Sequence, residues 1–261
     1  MTSQQISISS SVPMETVMQP LTLHLTRGVL ASTLDDARAM HNAFVDEGSQ
    51  PGREIARALG DLSHNVYTPA GGVDPALRAQ QGELLFVDYW AAASGMEMFF
   101  SNPVALGAAD QLFSSREDAE WAFAPNSFGF SVPARHGAPP RFVAITRGAI
   151  RSADDAVPAM GKLFSAGLPA ARRRGQISHA LFIRDADIAS RRPAANTRRA
   201  HGNTLAPSGA PTEVLALDWW STVDGLAEHY RDATVMGGLP DALIGPPETT
   251  AWQQEAGFSE W

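Results

Sequence analysis

The chain of 261 residues is long enough to bury one large core or two modest ones. A formal net charge of −8 disfavours nonspecific binding to nucleic acid or to anionic membrane, and the absence of cysteine excludes disulfides, thiolate metal sites and a thiol nucleophile. No run of about 18 apolar residues occurs, and the opening MTSQQISISSSVPMETVMQP lacks the basic leader and apolar core of a signal peptide, so a cytoplasmic protein with a loose arm over residues 1–20 is expected.

Leu21–Leu30, LTLHLTRGVL, mixes β-branched and apolar residues as a strand does, and Ser32-x-x-Asp35 then signals a helix start. Ala37, Met40, Ala43 and Phe44 follow at helical spacing. After a Gly/Ser/Pro break at Gly48–Gly52, the segment Gly60–Tyr67, GDLSHNVY, reads as a second strand. A turn-rich stretch, Thr68–Gly82, leads to a third strand, Glu83–Trp90. Its consecutive apolar residues Leu84–Val87 suit a strand covered on both faces. A helix from about Ser94 to Ser101, short helical turns over Asn102–Phe113 and a fourth strand starting near Trp121 complete the series.

The same order then returns. VAITRGAI (143–150) repeats LHLTRGVL (23–30), Ser152-x-x-Asp155 repeats the helix signal, and Gly175–Phe182, GQISHALF, repeats the second strand. The third strand and its helix, ELLFVDYWAAASGMEMFF (83–100), return as EVLALDWWSTVDGLAEHY (213–230), with Asp88 and Asp218, Trp90 and Trp220, Gly95 and Gly225 in register. The connection corresponding to Thr68–Gly82 swells to an arginine-containing insertion, Ile183–Thr212, read as a solvated loop. Trp252 matches Trp121. These matches predict a tandem duplication with a first unit over residues 21–135, a linker over 136–141 marked by its prolines, and a second unit over 142–261. Each unit has the order βαββαβ.

A βαββαβ unit with Asp88-x-Trp90 or Asp218-x-Trp220 closing its third strand, followed by a helix such as the one leading into FFSNPVALGAADQLF, resembles the antibiotic-biosynthesis-monooxygenase-like group of the dimeric α/β barrel superfamily. The resemblance implies an α+β fold in which two ferredoxin-like units pack sheet to sheet, here as a pseudo-dimeric barrel within one chain, either monomeric or as a homodimer. It also implies cofactor-independent monooxygenase-like chemistry on an aromatic or quinol-type small molecule, without metal or flavin; a noncatalytic ligand-binding or stress-response barrel, or an isomerase or lyase, are the alternatives. Haem-degrading members carry a Trp on the second helix and a His shortly after it; the matching positions here are Phe99 and Ala109, or His229 and Leu239.

Strand alternation puts Asp88 and Trp90 on one face of the third strand and His64 on one face of the second. One antiparallel register brings His64 beside Asp88, and its counterpart brings His179 beside Asp218. A carboxylate beside a buried imidazole fixes its tautomer and raises its basicity, which suits abstraction of a phenolic proton. The same pairs could equally satisfy each other in the interior and do nothing else. Trp90 and Trp220 are candidates for an aromatic pocket wall or for core filling. Arg27 and Arg147 are candidates for holding an enolate oxygen or for an interdomain ion pair. Ser63 and Ser178 point away from the adjacent histidines, and His24, His41, His136 and His201 lack metal-ligand spacing, so no metal site is expected.

Overall fold

The computed structural model describes residues 21–49, 51–132, 141–184, 211–232 and 243–261. The expected arm over 1–20, all of the expected linker over 136–141 except Arg141, most of the arginine-containing insertion, and His136, His201 and Leu239 lie outside the described residues. The fold is α+β, a large antiparallel sheet flanked by six α-helices among the described residues.

The first half runs β1 (Thr22–Leu30), α1 (Leu34–Asp46), α2 (Gly52–Ala58), β2 (Asp61–Pro69), β3 (Glu83–Trp90), α3 (Ala93–Phe100), α4 (Pro103–Leu112) and β4 (Phe113–Phe123). A two-residue strand, β5 (Phe130–Ser131), follows. The second half runs β6 (Phe142–Ile150), α5 (Ala153–Arg173), β7 (Gln176–Arg184), β8 (Thr212–Trp220), α6 (Val223–Arg231) and β9 (Glu248–Gln254). Helix α2 was not expected from the sequence, Asn102–Phe113 forms a full helix rather than short turns, and Trp121 lies near the end of its strand rather than at the start. The cap of α1 is Thr33, whose hydroxyl accepts the Asp36 N–H, one position beyond the expected Ser32; Ser152 sits at the start of α5 without a side-chain capping bond.

The strand order is β4-β1-β3-β2-β9-β6-β8-β7-β5, and β4 also pairs with β7, so eight strands close into a ring. The halves are stitched edge to edge at β2–β9 and at β4–β7. Closure removes the free edges a sheet would otherwise expose. Alternation sorts the side chains: Leu23, Leu25, Leu85, Val87, Trp121 and Trp252 join an interior cluster with Val143, Ile145 and Leu217, while Leu84 and Phe86 pack outward beneath the helices. The whole run from Glu83 to Asp88 is buried, as a strand covered on both faces requires.

The glycines in register at 95 and 225 share one steric reason. A Cβ on Gly95 would lie 1.8 Å from the Leu59 carbonyl oxygen, and one on Gly225 1.7 Å from that of Arg174, so each helix start rests directly on the turn before the second strand of its half. No helix of the described residues is long and apolar enough to cross a membrane.

Candidate functional site

β2 and β3 pair with His64 opposite Asp88, and β7 and β8 with His179 opposite Asp218. Both contacts are hydrogen bonds: His64 Nδ1 to Asp88 Oδ1 at 2.5 Å, and His179 Nδ1 to Asp218 Oδ1 at 2.6 Å. Each pair lies on the outer face of the sheet, under its own helices. His64 and Asp88 line a cavity in the first half, and His179 lines one in the second.

A register shift between Asp61 and Ser63 turns Leu62 out to 54% exposure and brings Asp61 onto the same face as His64. The equivalent shift in β7 lets Gln176 Nε2 donate to Asp218 Oδ1 at 2.6 Å. The two halves therefore place a carboxyl and a carboxamide at the same structural position. Burial, and then the neighbouring Asp88, push the Asp61 carboxyl up to about 9, so it is a neutral acid at pH 7. Asp88 goes the other way: burial pulls it up, but His64 and His24 outweigh that and hold it below the usual carboxylate value.

The first cavity lies between β1–β3 and the helices α1 to α4. Phe44, Phe86, Trp90, Phe99 and Phe100 supply its apolar wall, with Trp261 at one side. Its polar wall is His24, His41, Asp61, His64 and Asp88. Asn42 settles the tautomers. Its amide nitrogen donates to the Gly257 carbonyl and its oxygen accepts the Ser259 N–H, both at 2.8 Å, so His41 Nδ1, 3.1 Å from that oxygen, is a donor. Burial and then the neighbouring His64 push His41 down to about 3, which keeps it neutral. Its Nε2 is accordingly a bare acceptor, and His64 Nε2, 2.9 Å away, donates to it. His64 is thus bonded at both ring nitrogens, and Trp261 stacks on its face at 4.8 Å.

The second cavity differs. Asp218 is saturated by Gln176, His179 and the Tyr230 hydroxyl, the last at 2.6 Å. His179 Nε2 is buried without a partner among the described residues, and the Phe164 ring lies 4.1 Å from the imidazole. His229 from α6, where the first half has Phe99, borders the cavity too and is held below its usual value, chiefly by burial.

Of the other expected site residues, Trp90 lines the first cavity, while Trp220 is fully buried and packs on His229 at 4.8 Å. Arg27 and Arg147 stand at neither pair. Arg27 grips Glu83 through two hydrogen bonds of 3.1 Å and reaches Glu248 of the other half at 2.8 Å; Arg147 grips Glu213 and reaches Glu117 of the first half at 2.9 Å. Each guanidinium also lies over a tryptophan, Trp252 at 5.3 Å and Trp121 at 5.5 Å. The two arginines cross-link the halves of the barrel.

His24, His41 and Asp61 were missed as site residues. Alternation could have found His24, because Leu23 and Leu25 point into the barrel and so turn the imidazole towards the helices. His41 follows Ala37 by four residues, and the buried stripe of α1 is Ala37, His41 and Val45 rather than one through the exposed Ala43. Asp61 carried no signal, because its placement depends on the register shift. Among the described residues no group of three His, Asp or Glu side chains is placed to hold a metal ion.

No family model matches the chain, and no curated protein sequence matches it. Solved structures do. An anthrone oxidase-like protein superposes with a TM-score of 0.57 at 13% identity, over 91% of this chain and 92% of its own. The chain shares that fold. A "putative monooxygenase" from Lactobacillus acidophilus NCFM matches at a TM-score of 0.51 and 6% identity, covering 90% and 93% of the two chains. A mutant chlorite dismutase from Candidatus Nitrospira defluvii matches at 0.50 and 12%, covering 92% and 93%. Each match spans both halves, so the likeness is one of the whole closed sheet.

Proposed function

We propose that the protein is a monooxygenase-like enzyme, independent of metal and flavin, that acts on an uncharged aromatic molecule of quinol or anthrone type in the first-half cavity. One observation carries this reading: a buried, ionised Asp88, braced by His64, lies at the wall of an aromatic-lined cavity. Monooxygenase-like neighbours on the same scaffold support it. Fold alone does not deliver chemistry, so the weight falls on the site. A substrate anion generated in a dry cavity would react with oxygen directly, and the protein's work is to make that anion and exclude water.

The second pair is read as a brace. Asp218 is held by three donors and the Phe164 ring packs on His179, which supports a structural role for that carboxylate. We infer further that residues 21–135 and 142–261 are tandem copies forming a pseudo-dimeric barrel, with one working and one supporting site. Matching strand orders and the crossed Arg27–Glu248 and Arg147–Glu117 contacts support this.

Oxygen uptake in air with anthrone as the probe tests the activity. Asp88→Asn is expected to lose roughly 100-fold or more of the rate, the usual contribution of a positioned acid–base system. A folded Asp88→Asn protein with the wild-type rate would refute the reading.

A further inference from the structure

His64, although paired with Asp88, has no ring nitrogen to spare: Nδ1 is held by Asp88 and Nε2 by His41. Two other groups on the same cavity do have capacity. His24, 4% exposed, turns Nδ1 towards Asp88 Oδ2 at 3.6 Å, and its Nε2 makes no hydrogen bond among the described residues. Asp61, 5% exposed, accepts the Ser63 N–H at Oδ1, and its Oδ2 makes none among the described residues.

We propose that His24 and Asp61 form the reacting wall of this cavity, His24 Nε2 taking a proton from an uncharged fused-ring phenol or carbon acid, and the Asp61 carboxylic acid hydrogen-bonding the substrate oxygen that gathers the charge. The assignment rests on the proposed function's choice of cavity and names the groups that do its acid–base work. In the step the substrate C–H or O–H bond breaks, an N–H bond forms at His24, and the electron pair delocalises onto the substrate oxygen. No oxidant is consumed. The imidazolium so formed is balanced by Asp88 on its Nδ1 side.

Asp61 is suited to the neutral role by its neighbours. It shares a buried site with the Asp88 carboxylate, and two such groups do not both ionise. At the same position of the second half stands Gln176, a neutral donor by construction. β1 and β2 flank β3, with His24 opposite Asp88 and Asp61 opposite Trp90, so the two stand two strand spacings and two residues of rise apart, about 12 Å between backbones, a gap that three fused rings bridge. The aromatic wall suits such a ring system. Arg116, at the cavity edge, is engaged by Asp110 and Asp118, so a sulfonate or carboxylate on the ligand would meet no uncommitted cation there.

Proton transfer can be read without oxygen. Under argon in D2O, exchange of the anthrone methylene protons is followed by NMR, and binding of 1,8-dihydroxyanthraquinone is followed by tryptophan quenching. Wild-type protein is expected to accelerate exchange. His24→Gln should slow it about 100-fold while the anthraquinone Kd changes by less than about threefold, and added imidazole should restore His24→Ala. Asp61→Asn, which keeps a neutral donor, should retain exchange within about tenfold, whereas Asp61→Leu should lose it. A folded His24→Gln protein as fast as wild type, a His24→Ala protein that imidazole does not restore, or wild-type protein that binds anthrone without exchanging it overturns the assignment. Exchange without oxygen uptake in air refutes the monooxygenase reading alone, and undiminished oxygen uptake by His24→Gln refutes the His24 assignment alone.

Discussion

Asp61→Asn separates a neutral carboxyl from an ionised one by stability alone. In the unfolded chain Asp61 titrates at its ordinary value of 3.8, and in the folded protein at about 9. Between those values the folded state holds a proton that the unfolded state has lost, so the wild-type protein loses stability as pH rises, by up to about 1.4 kcal/mol per pH unit from this group. From pH 5 to pH 8 that amounts to about 4 kcal/mol, a large share of a typical domain's 5–15 kcal/mol. Asparagine keeps the Ser63 acceptor and the shape and removes the titration, as Gln176 does in the second half. Urea unfolding of both proteins at pH 5, 6, 7 and 8 should give an Asp61→Asn protein whose advantage grows with pH at that slope. A difference that stays constant over the range would mean Asp61 is ionised in the folded state and would refute the reasoning.

His41 acts in the opposite direction. Its folded value of about 3 lies below the ordinary 6.5, so the unfolded state binds the extra proton and stability falls as pH drops from about 6.5 towards 3; His41→Gln should flatten that part of a Tm-against-pH curve. Tyr230→Phe removes one of three donors to the buried Asp218 and should cost about 1–3 kcal/mol in chemical denaturation while leaving anthraquinone binding in the first cavity as it was. Gly225→Ala drives a Cβ into the Arg174 carbonyl and should cost about 3 kcal/mol or more by the same measurement; a loss under about 1 kcal/mol would show that the turn before β7 yields easily.

Much of the strand order was legible because similar segments recur along the chain. Matching segments such as TRG at 26–28 and 146–148 located the strands, and alternation along β3 put Asp88 with Phe86 and Trp90 on the cavity side. The registers of His64 with Asp88 and His179 with Asp218 then followed from antiparallel pairing. What escaped depends on geometry that spacing does not encode. A one-residue slip at Leu62 reverses strand parity, so Asp61 joins a face to which simple alternation does not assign it. The rotation of α1 that buries His41 is set by contacts with Phe86 and Phe258, distant in sequence. Arg27 and Arg147 follow the TRG repeat faithfully, but their partners Glu248 and Glu117 belong to the opposite half, a pairing visible only once the ring is closed.

Residues 255–261 follow the final strand of the second half yet finish the first. Trp261 exchanges two backbone hydrogen bonds with His64 and stacks on its ring, Glu260 caps the Val66 N–H, and Ser259 and Gly257 fix the amide of Asn42 that orients His41. During synthesis the N-terminal portion therefore emerges without the Trp261 side of its pocket and without the tail contacts that fix Asn42 beside His41. Residues 21–135 expressed alone would lack the Trp261 ring on His64 and the Gly257 and Ser259 contacts of Asn42.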